Sequence, residues 1–326
     1  MYVGKDVPHD SARGHVTGES MYIDDMPPMP GELLVDFVWS PFARARIRSV
    51  DLTAARTLPG IAGLYTYEDL AHNCFGPVTK DEPLLAVDEC LFRGQPIVVI
   101  AAETQQAANA AKRAIRIEFE ELPPILTIEE AIAAHEFIGE PRFIRRGDAD
   151  AAMKTAEHVL EGIFENQGQD HFYLESQAAL VYPGEHDALT VHSSTQHPTE
   201  VQEVIAHLLG IDMSQVVVIT KRMGGGFGGK ESQATHPAAM AALVARKTKR
   251  AARIAYDKDT DMHVTGKRHP FRNRYQAGFD GNGQLVALKV DLYSDGGAYA
   301  DLSSAVMARA MTHADNAYYV PHIEIR

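Results

Sequence analysis

The sequence predicts a mixed α/β (α+β) fold in two parts, and three observations carry that prediction. β-branched extended stretches alternate with helical ones from residue 33 onward. The chain has 326 residues, enough for roughly two domains with separate cores. Near residue 145 the pattern lapses into polar, loop-like sequence between two well-patterned halves. Hydrophobic residues at 45% and charged residues at 23% exclude a disordered or fibrous chain. A net charge of -13 without a dense basic run argues against nucleic-acid binding. The first ten residues lack the apolar core of a signal peptide and no stretch is long enough to span a bilayer, so a cytoplasmic location is expected by default. Cys74 and Cys90 form no C-x-x-C pair, which excludes a disulfide framework or a four-thiolate cluster built from this chain alone. The histidines show no H-E-x-x-H or comparable ligand spacing.

In the first part, 33–39 is an apolar strand and 45–50 a second extended stretch, after which Thr53 is placed to cap a short helix closed by Pro59-Gly60. Residues 96–102 form a buried strand and 104–113 an alanine-rich helix. Ile115, Ile117 and Phe119 then alternate with Arg116, Glu118 and Glu120 as a half-exposed strand. After Pro123-Pro124 come a short helix at 127–134 and a loop around Arg145-Arg146-Gly147-Asp148.

In the second part, 158–165, 172–182 and 188–194 read as strands, with a turn at 183–187 between the last two. Val201, Val204, Ile205, Leu208 and Leu209 follow the i, i+3, i+4, i+7, i+8 pattern of one helical face, with Thr199 placed to cap it and Gly210 to end it. A strand at 216–220 leads into a glycine-rich loop at 223–230. A helix at 238–246 follows, which Pro237 either begins or kinks. Strand character resumes at 252–256, and 275–279 and 285–293 flank the hairpin turn Asp280-Gly281-Asn282-Gly283. The strand-like end at 320–326, with no terminal signal, reads as that of a fragment.

The strongest local feature is Gly224-Gly225-Gly226-Phe227-Gly228-Gly229-Lys230-Glu231, set between a strand and a helix. Glycines let backbone amides approach an anion or oxo group. Three readings compete on local grounds. Gly224, Gly229 and Lys230 fit a P-loop, but Glu231 stands where a magnesium-binding hydroxyl is required. Gly224, Gly226 and Gly229 fit a dinucleotide turn, with Asp257 as ribose partner. In the third, the segment is a flexible turn and Glu231 sits in the first turn of the helix, where the dipole favours a carboxylate.

A fourth reading rests on resemblance. Lys221 to Glu231 resembles the molybdopterin-contacting loop of the xanthine dehydrogenase and aldehyde oxidase family. Collinear segments resemble the same family: Ser11-Ala12-Arg13-Gly14-His15-Val16-Thr17-Gly18-Glu19, Gly94-Gln95-Pro96, Gly168-Gln169-Asp170-His171-Phe172-Tyr173-Leu174-Glu175, Ser194-Thr195-Gln196, Gly266-Lys267-Arg268-His269-Pro270-Phe271 and Asp315-Asn316-Ala317-Tyr318. In order and spacing they span nearly the whole sequence. Gln177-Ala178-Ala179 departs from the family pattern.

The resemblance implies a hammerhead α/β domain at 1–125, a linker at 126–150 and the first part of a molybdopterin-binding domain at 151–326. It implies that Gln196 hydrogen-bonds an oxygen ligand of molybdenum and that Gly226, Phe227 and Gly228 line the cofactor through backbone amides. Gln196 and Phe227 would thus meet the metal only indirectly, through cofactor ligands. Glu231 would bind substrate, pairing with a purine edge, and the glycine-to-glutamate segment 168–175 would be structural. The implied chemistry is hydroxylation of purines such as hypoxanthine and xanthine with water-derived oxygen. Electrons would leave through 2Fe-2S clusters and FAD to NAD, all on partner subunits of a hetero-oligomer. No catalytic base is implied within the chain, since the family's base corresponds to sequence beyond Arg326. The chain is thus expected to be part of a separate molybdenum subunit, inactive alone. Another molybdenum hydroxylase, for an aldehyde or other heteroaromatic substrate, or a dinucleotide-binding dehydrogenase, remains the alternative.

Overall fold

The structure, a computed structural model, describes residues 2–326. The chain opens with α1 (Ala12–Thr17), β1 (Leu33–Trp39), β2 (Ala45–Asp51), α2 (Thr53–Arg56) and β3 (Ile61–Tyr65). Three two-residue strands follow, β4 (Cys74–Phe75), β5 (Glu82–Pro83) and β6 (Glu89–Cys90), then β7 (Pro96–Ala102), α3 (Gln105–Ala114), β8 (Arg116–Glu121) and α4 (Ile128–Ala134). Every residue of β7 is buried, as its unbroken apolar run requires. Thr104 caps α3 by accepting from the Ala107 N–H at 3.1 Å, and Thr127 with Glu130 forms a capping box on α4. Thr53 does not cap α2. It is the first helical residue, and its N–H donates to the Asp51 carboxylate at 2.9 Å, so the acid two residues earlier supplies the acceptor. Two elements carry no local signal: α1 buries no residue, and β3 owes its conformation to pairing with β7.

The second part contains β9 (Ile144–Arg146), α5 (Ala149–Thr155), β10 (His158–Asn166), β11 (Ala178–Pro183), β12 (Leu189–Ser193), α6 (Pro198–Leu209) and β13 (Val216–Ile219). It continues with α7 (Thr235–Thr248), β14 (Ala252–Ala255), α8 (Lys258–Val264), β15 (Phe271–Phe279), β16 (Leu285–Ser294), α9 (Ser303–Thr312) and β17 (His322–Ile325). Residues 145–146, expected in a loop, form β9 by pairing with β17, a partner 179 residues away at Arg145↔Glu324. The expected strand 172–182 shrinks to β11. Residues 172–177 are a loop, with Phe172 at φ 49° and its N–H bonded to Asp170. At α6 the cap position is His197, with Pro198 in the first turn and Thr199 already inside the helix, whereas Gly210 ends it as expected. α7 begins two residues earlier than Pro237, which lies in its first turn, where its missing N–H costs no helical hydrogen bond.

The main sheet has the order β13-β12-β11-β14-β1-β7-β3, so strands of both parts share it. Leu33 of β1 pairs in parallel with Ala252 of β14 at the junction. A second sheet has the order β10-β15-β16-β17-β9, and a third β6-β2-β8. Helix α7, buried continuously from Thr235 to Ala245, packs on β11, β12, β14 and α6; its alanines allow that close approach on every side. α6 buries the predicted face of Val201, Val204, Ile205, Leu208 and Leu209. Among the described residues no helix is long and apolar enough to cross a membrane.

Candidate functional site

The glycine loop lies between β13 and α7 and crosses the end of β12, where the chain leaves the sheet as Ser194-Thr195-Gln196. The Gln196 N–H donates to the Lys230 carbonyl at 2.7 Å and the Thr195 hydroxyl donates to the same carbonyl at 3.1 Å, fastening the loop to the strand end. Gly225 and Gly228 take φ of 99° and 93°, which side-chain-bearing residues rarely adopt. Phe227 between them is also left-handed, at φ 54°, and its ring is 75% exposed. A non-glycine residue held at positive φ marks local strain of a kind that clusters at ligand sites. At Gly226 a Cβ would come within 2.6 Å of Gln196 Oε1, so the loop needs glycine there to approach that side chain.

Gln196 is oriented from its oxygen side. Oε1 accepts the N–H of Gly228 at 2.9 Å and that of Lys230 at 3.3 Å. Two donors on one oxygen fix which end of the carboxamide is which. The NH₂ end bonds no described residue, and the side chain is exposed. The structure therefore brings Gln196, Gly226, Phe227 and Gly228 together and leaves an oriented donor at the surface. The Gly228 N–H is already committed to Gln196.

Glu231 follows directly, half-buried, and its carboxylate makes no hydrogen bond or ion pair among the described residues. It lies in a bend four residues before α7 begins, so it is not a first-turn helix carboxylate. Burial pushes the nearby Glu200 carboxyl up, His197 at 2.7 Å opposes that, and the charges of Asp301 and Glu231 add to the rise. Glu231 thus sits in an acidic neighbourhood formed with the start of α6.

Beneath the loop lies a buried polar shell absent from the expected site residues. The Lys230 side chain is fully buried, and its ammonium donates to Ser194 Oγ at 2.7 Å and Glu175 Oε2 at 3.2 Å and sits 4.6 Å from the centre of the Tyr173 ring. Burial lowers the Lys230 pKa, and Glu175 partly restores it. Glu175 Oε2 also accepts the Gly224 N–H at 2.7 Å and the Ser194 hydroxyl at 2.6 Å. Gln177 donates to the Gly229 carbonyl at 2.9 Å and to the Tyr173 hydroxyl at 3.1 Å. That hydroxyl in turn donates to Asp261 at 2.7 Å, and the Gln177 N–H donates to Asp261 at 2.7 Å. Burial, followed by the Asp261 carboxylate, raises the Tyr173 pKa. No local pattern could have paired residues so far apart in the chain.

These contacts decide between the local readings. A P-loop lysine must reach phosphate, whereas the Lys230 ammonium is turned inward onto Glu175. A dinucleotide unit needs parallel strands flanking its turn and an acid free for ribose. β13 and β14 are separated by β12 and β11, and Asp257 caps α8 by accepting the Thr260 N–H at 2.6 Å.

Both parts of the chain resemble known proteins. Residues 134–326 match the molybdopterin cofactor-binding domain, and residues 17–123 match the aldehyde oxidase and xanthine dehydrogenase a/b hammerhead domain. The chain is 41% identical to a xanthine dehydrogenase of Emericella nidulans over 328 residues, 99% of this chain and 24% of that protein. It is 40% identical to a xanthine dehydrogenase/oxidase of Gallus gallus, again over 99% of this chain and 24% of that protein. It therefore spans about a quarter of the length of the curated relatives it matches. The aldehyde oxidoreductase of Desulfovibrio gigas superposes with a TM-score of 0.87 at 26% identity, covering 98% of this chain and 37% of that one. The quinoline 2-oxidoreductase of Pseudomonas putida 86 superposes with a TM-score of 0.84 at 26% identity, covering 100% and 44%. The chain belongs to the aldehyde oxidase and xanthine dehydrogenase family, whose molybdopterin cofactor-binding domain it carries.

Proposed function

We propose, from that membership, that the chain is part of the molybdenum subunit of a xanthine dehydrogenase-type hydroxylase acting on a purine. Electrons would pass to 2Fe-2S, FAD and NAD carried by partner subunits in a soluble, cytoplasmic hetero-oligomer. The observation that carries the reading is the Gln196 carboxamide, whose oxygen is fixed by two loop amides while its NH₂ remains an exposed donor. The donors left over fit a cofactor that presents oxygen: the Gln196 NH₂ and the Gly226 and Phe227 N–H groups bond nothing among the described residues, and at Gly226 a Cβ would meet the Gln196 side chain. When bound, the molybdenum-pterin group supplies transfer of a water-derived oxygen to a heteroaromatic carbon and accepts two electrons.

The chain's own residues bind and orient. Gln196 would offer its NH₂ to an oxygen of the cofactor, and the backbone at 226–228 would form the adjoining wall, with the exposed Phe227 at its rim. Glu231 has a carboxylate without a partner among the described residues, able to accept the N–H edge of a purine, which an aldehyde lacks. Identity of about 40% to proteins named xanthine dehydrogenase further supports the purine reading.

The test is Glu231→Ala in the complete enzyme, measured as the ratio of xanthine to aldehyde turnover. Loss of one charge-assisted hydrogen bond is expected to lower kcat/KM for xanthine by roughly 30- to 150-fold and to leave aldehyde oxidation little changed. An unchanged ratio would favour an aldehyde or another heteroaromatic substrate.

A further inference from the structure

We propose that Glu175 and Lys230 are positioning residues that clamp the two ends of the glycine loop and so hold the Gln196 carboxamide in place. The proposal rests on the reading above for what Gln196 faces, but not for how Gln196 is held. At the front of the loop, Glu175 accepts the Gly224 N–H through Oε2 at 2.7 Å, and its own N–H donates to the Gly224 carbonyl at 3.2 Å. At the rear, the Lys230 side chain passes inward, fully buried, to reach the same Oε2 and Ser194 Oγ. One carboxylate oxygen therefore ties together both ends of the loop and the strand end that carries Gln196.

The coupling to Gln196 runs through the Lys230 backbone. The Lys230 N–H donates to Gln196 Oε1 and the Lys230 carbonyl accepts the Gln196 N–H, so a shift of residue 230 moves the carboxamide at both its backbone and its side chain. A buried ion pair is weak evidence for stability as such, because desolvation offsets the attraction. Its geometric use is a better account here. The glycines between the clamped ends bring no side chains that could anchor the loop by packing. Glu175 Oε1 is buried without a partner among the described residues, so the carboxylate is not placed for its own satisfaction; its bonded oxygen is the one aimed at the loop.

Amide hydrogen exchange on this 326-residue chain tests the clamp without any cofactor. In both Glu175→Gln and Lys230→Met, exchange at Gly224, Gly228 and Lys230 is expected to rise about ten-fold or more, the factor for losing one charge-assisted hydrogen bond, with the β11 amides unchanged. Unchanged exchange in the loop, or an equal rise in β11 and the loop, would overturn the proposal. Should either single variant fail to fold, the double variant Glu175→Gln/Lys230→Met buries no lone charge and is read by the same criterion. In the complete enzyme the double variant is expected to lower kcat with KM held, and a raised KM at constant kcat would count against action through Gln196. If the complete unsubstituted enzyme proves not to be a hydroxylase, the exchange result still stands and only the functional reading fails.

Discussion

The main sheet with α6 and α7 and the shell under the glycine loop are both buried, but by different physics. In the sheet, Phe37, Ile100, Leu180 and Val191, and in α6 Leu208, are removed from water by apolar neighbours, and stabilisation scales with area at about 25 cal/mol per Å². Under the loop, Lys230, Tyr173, Gln177 and Asp261 are equally buried, yet they are joined by hydrogen bonds of 2.7 to 3.2 Å. A run of glycines offers almost no apolar side chain to bury, so the loop is held by polar bonds instead. The difference teaches that damage in the sheet should be graded, whereas damage in the shell should depend on whether a partner is left behind.

The largest expected effect breaks or confirms that contrast directly. Lys230→Met strands Glu175 and is expected to cost about 3 to 5 kcal/mol in urea unfolding, and adding Glu175→Gln should recover much of it. Phe37→Ala in the sheet is expected to cost a similar ~3 to 5 kcal/mol with no single second substitution restoring it. A double variant as unstable as Lys230→Met alone would erase the distinction.

A smaller effect sharpens it on the functional side. Gln196→Ala in the complete enzyme removes an oriented donor without burying a charge. It should lower kcat by roughly ten-fold with KM unchanged and cost about 1 kcal/mol of stability, because the Gly228 and Lys230 N–H groups lose their acceptor. A rise in KM alone would place Gln196 on the substrate.

The smallest effect lies at the cap of α8, the helix that carries Asp261 of the shell. The Thr260 backbone N–H, and then its side chain, hold the Asp257 carboxyl below the usual carboxylate range. Because the folded value lies below the unfolded one, near 3.9 in a typical peptide, the contribution is fully present above about pH 4 and is lost as pH falls through the folded value. Asp257→Asn should keep the cap and lose that acid dependence, whereas Asp257→Ala should cost about 1 kcal/mol at neutral pH. Equal acid sensitivity in Asp257→Asn and the parent chain would assign the effect elsewhere.

The sequence by itself determined the elements whose partners are water and an adjacent core. The face of α6, the buried run of β7, the hairpin turn at 280–283 and the Thr104 and Thr127 caps follow from periodicity and local hydrogen bonding within a few residues. The glycine loop and Gln196 were legible because glycine content and collinear motifs are also properties of the chain. Tertiary structure alone decided β9, β3, the loop at 172–177 and the inward turn of Lys230, since each depends on a distant partner: β17, β7, Asp261 or Glu175. A lysine after a glycine string reads as a phosphate ligand until a carboxylate 55 residues earlier is brought beside it. Such pairings follow from how the sheet closes, because the electrostatic partner of a buried charge is set by position in space and leaves no periodic trace along the chain.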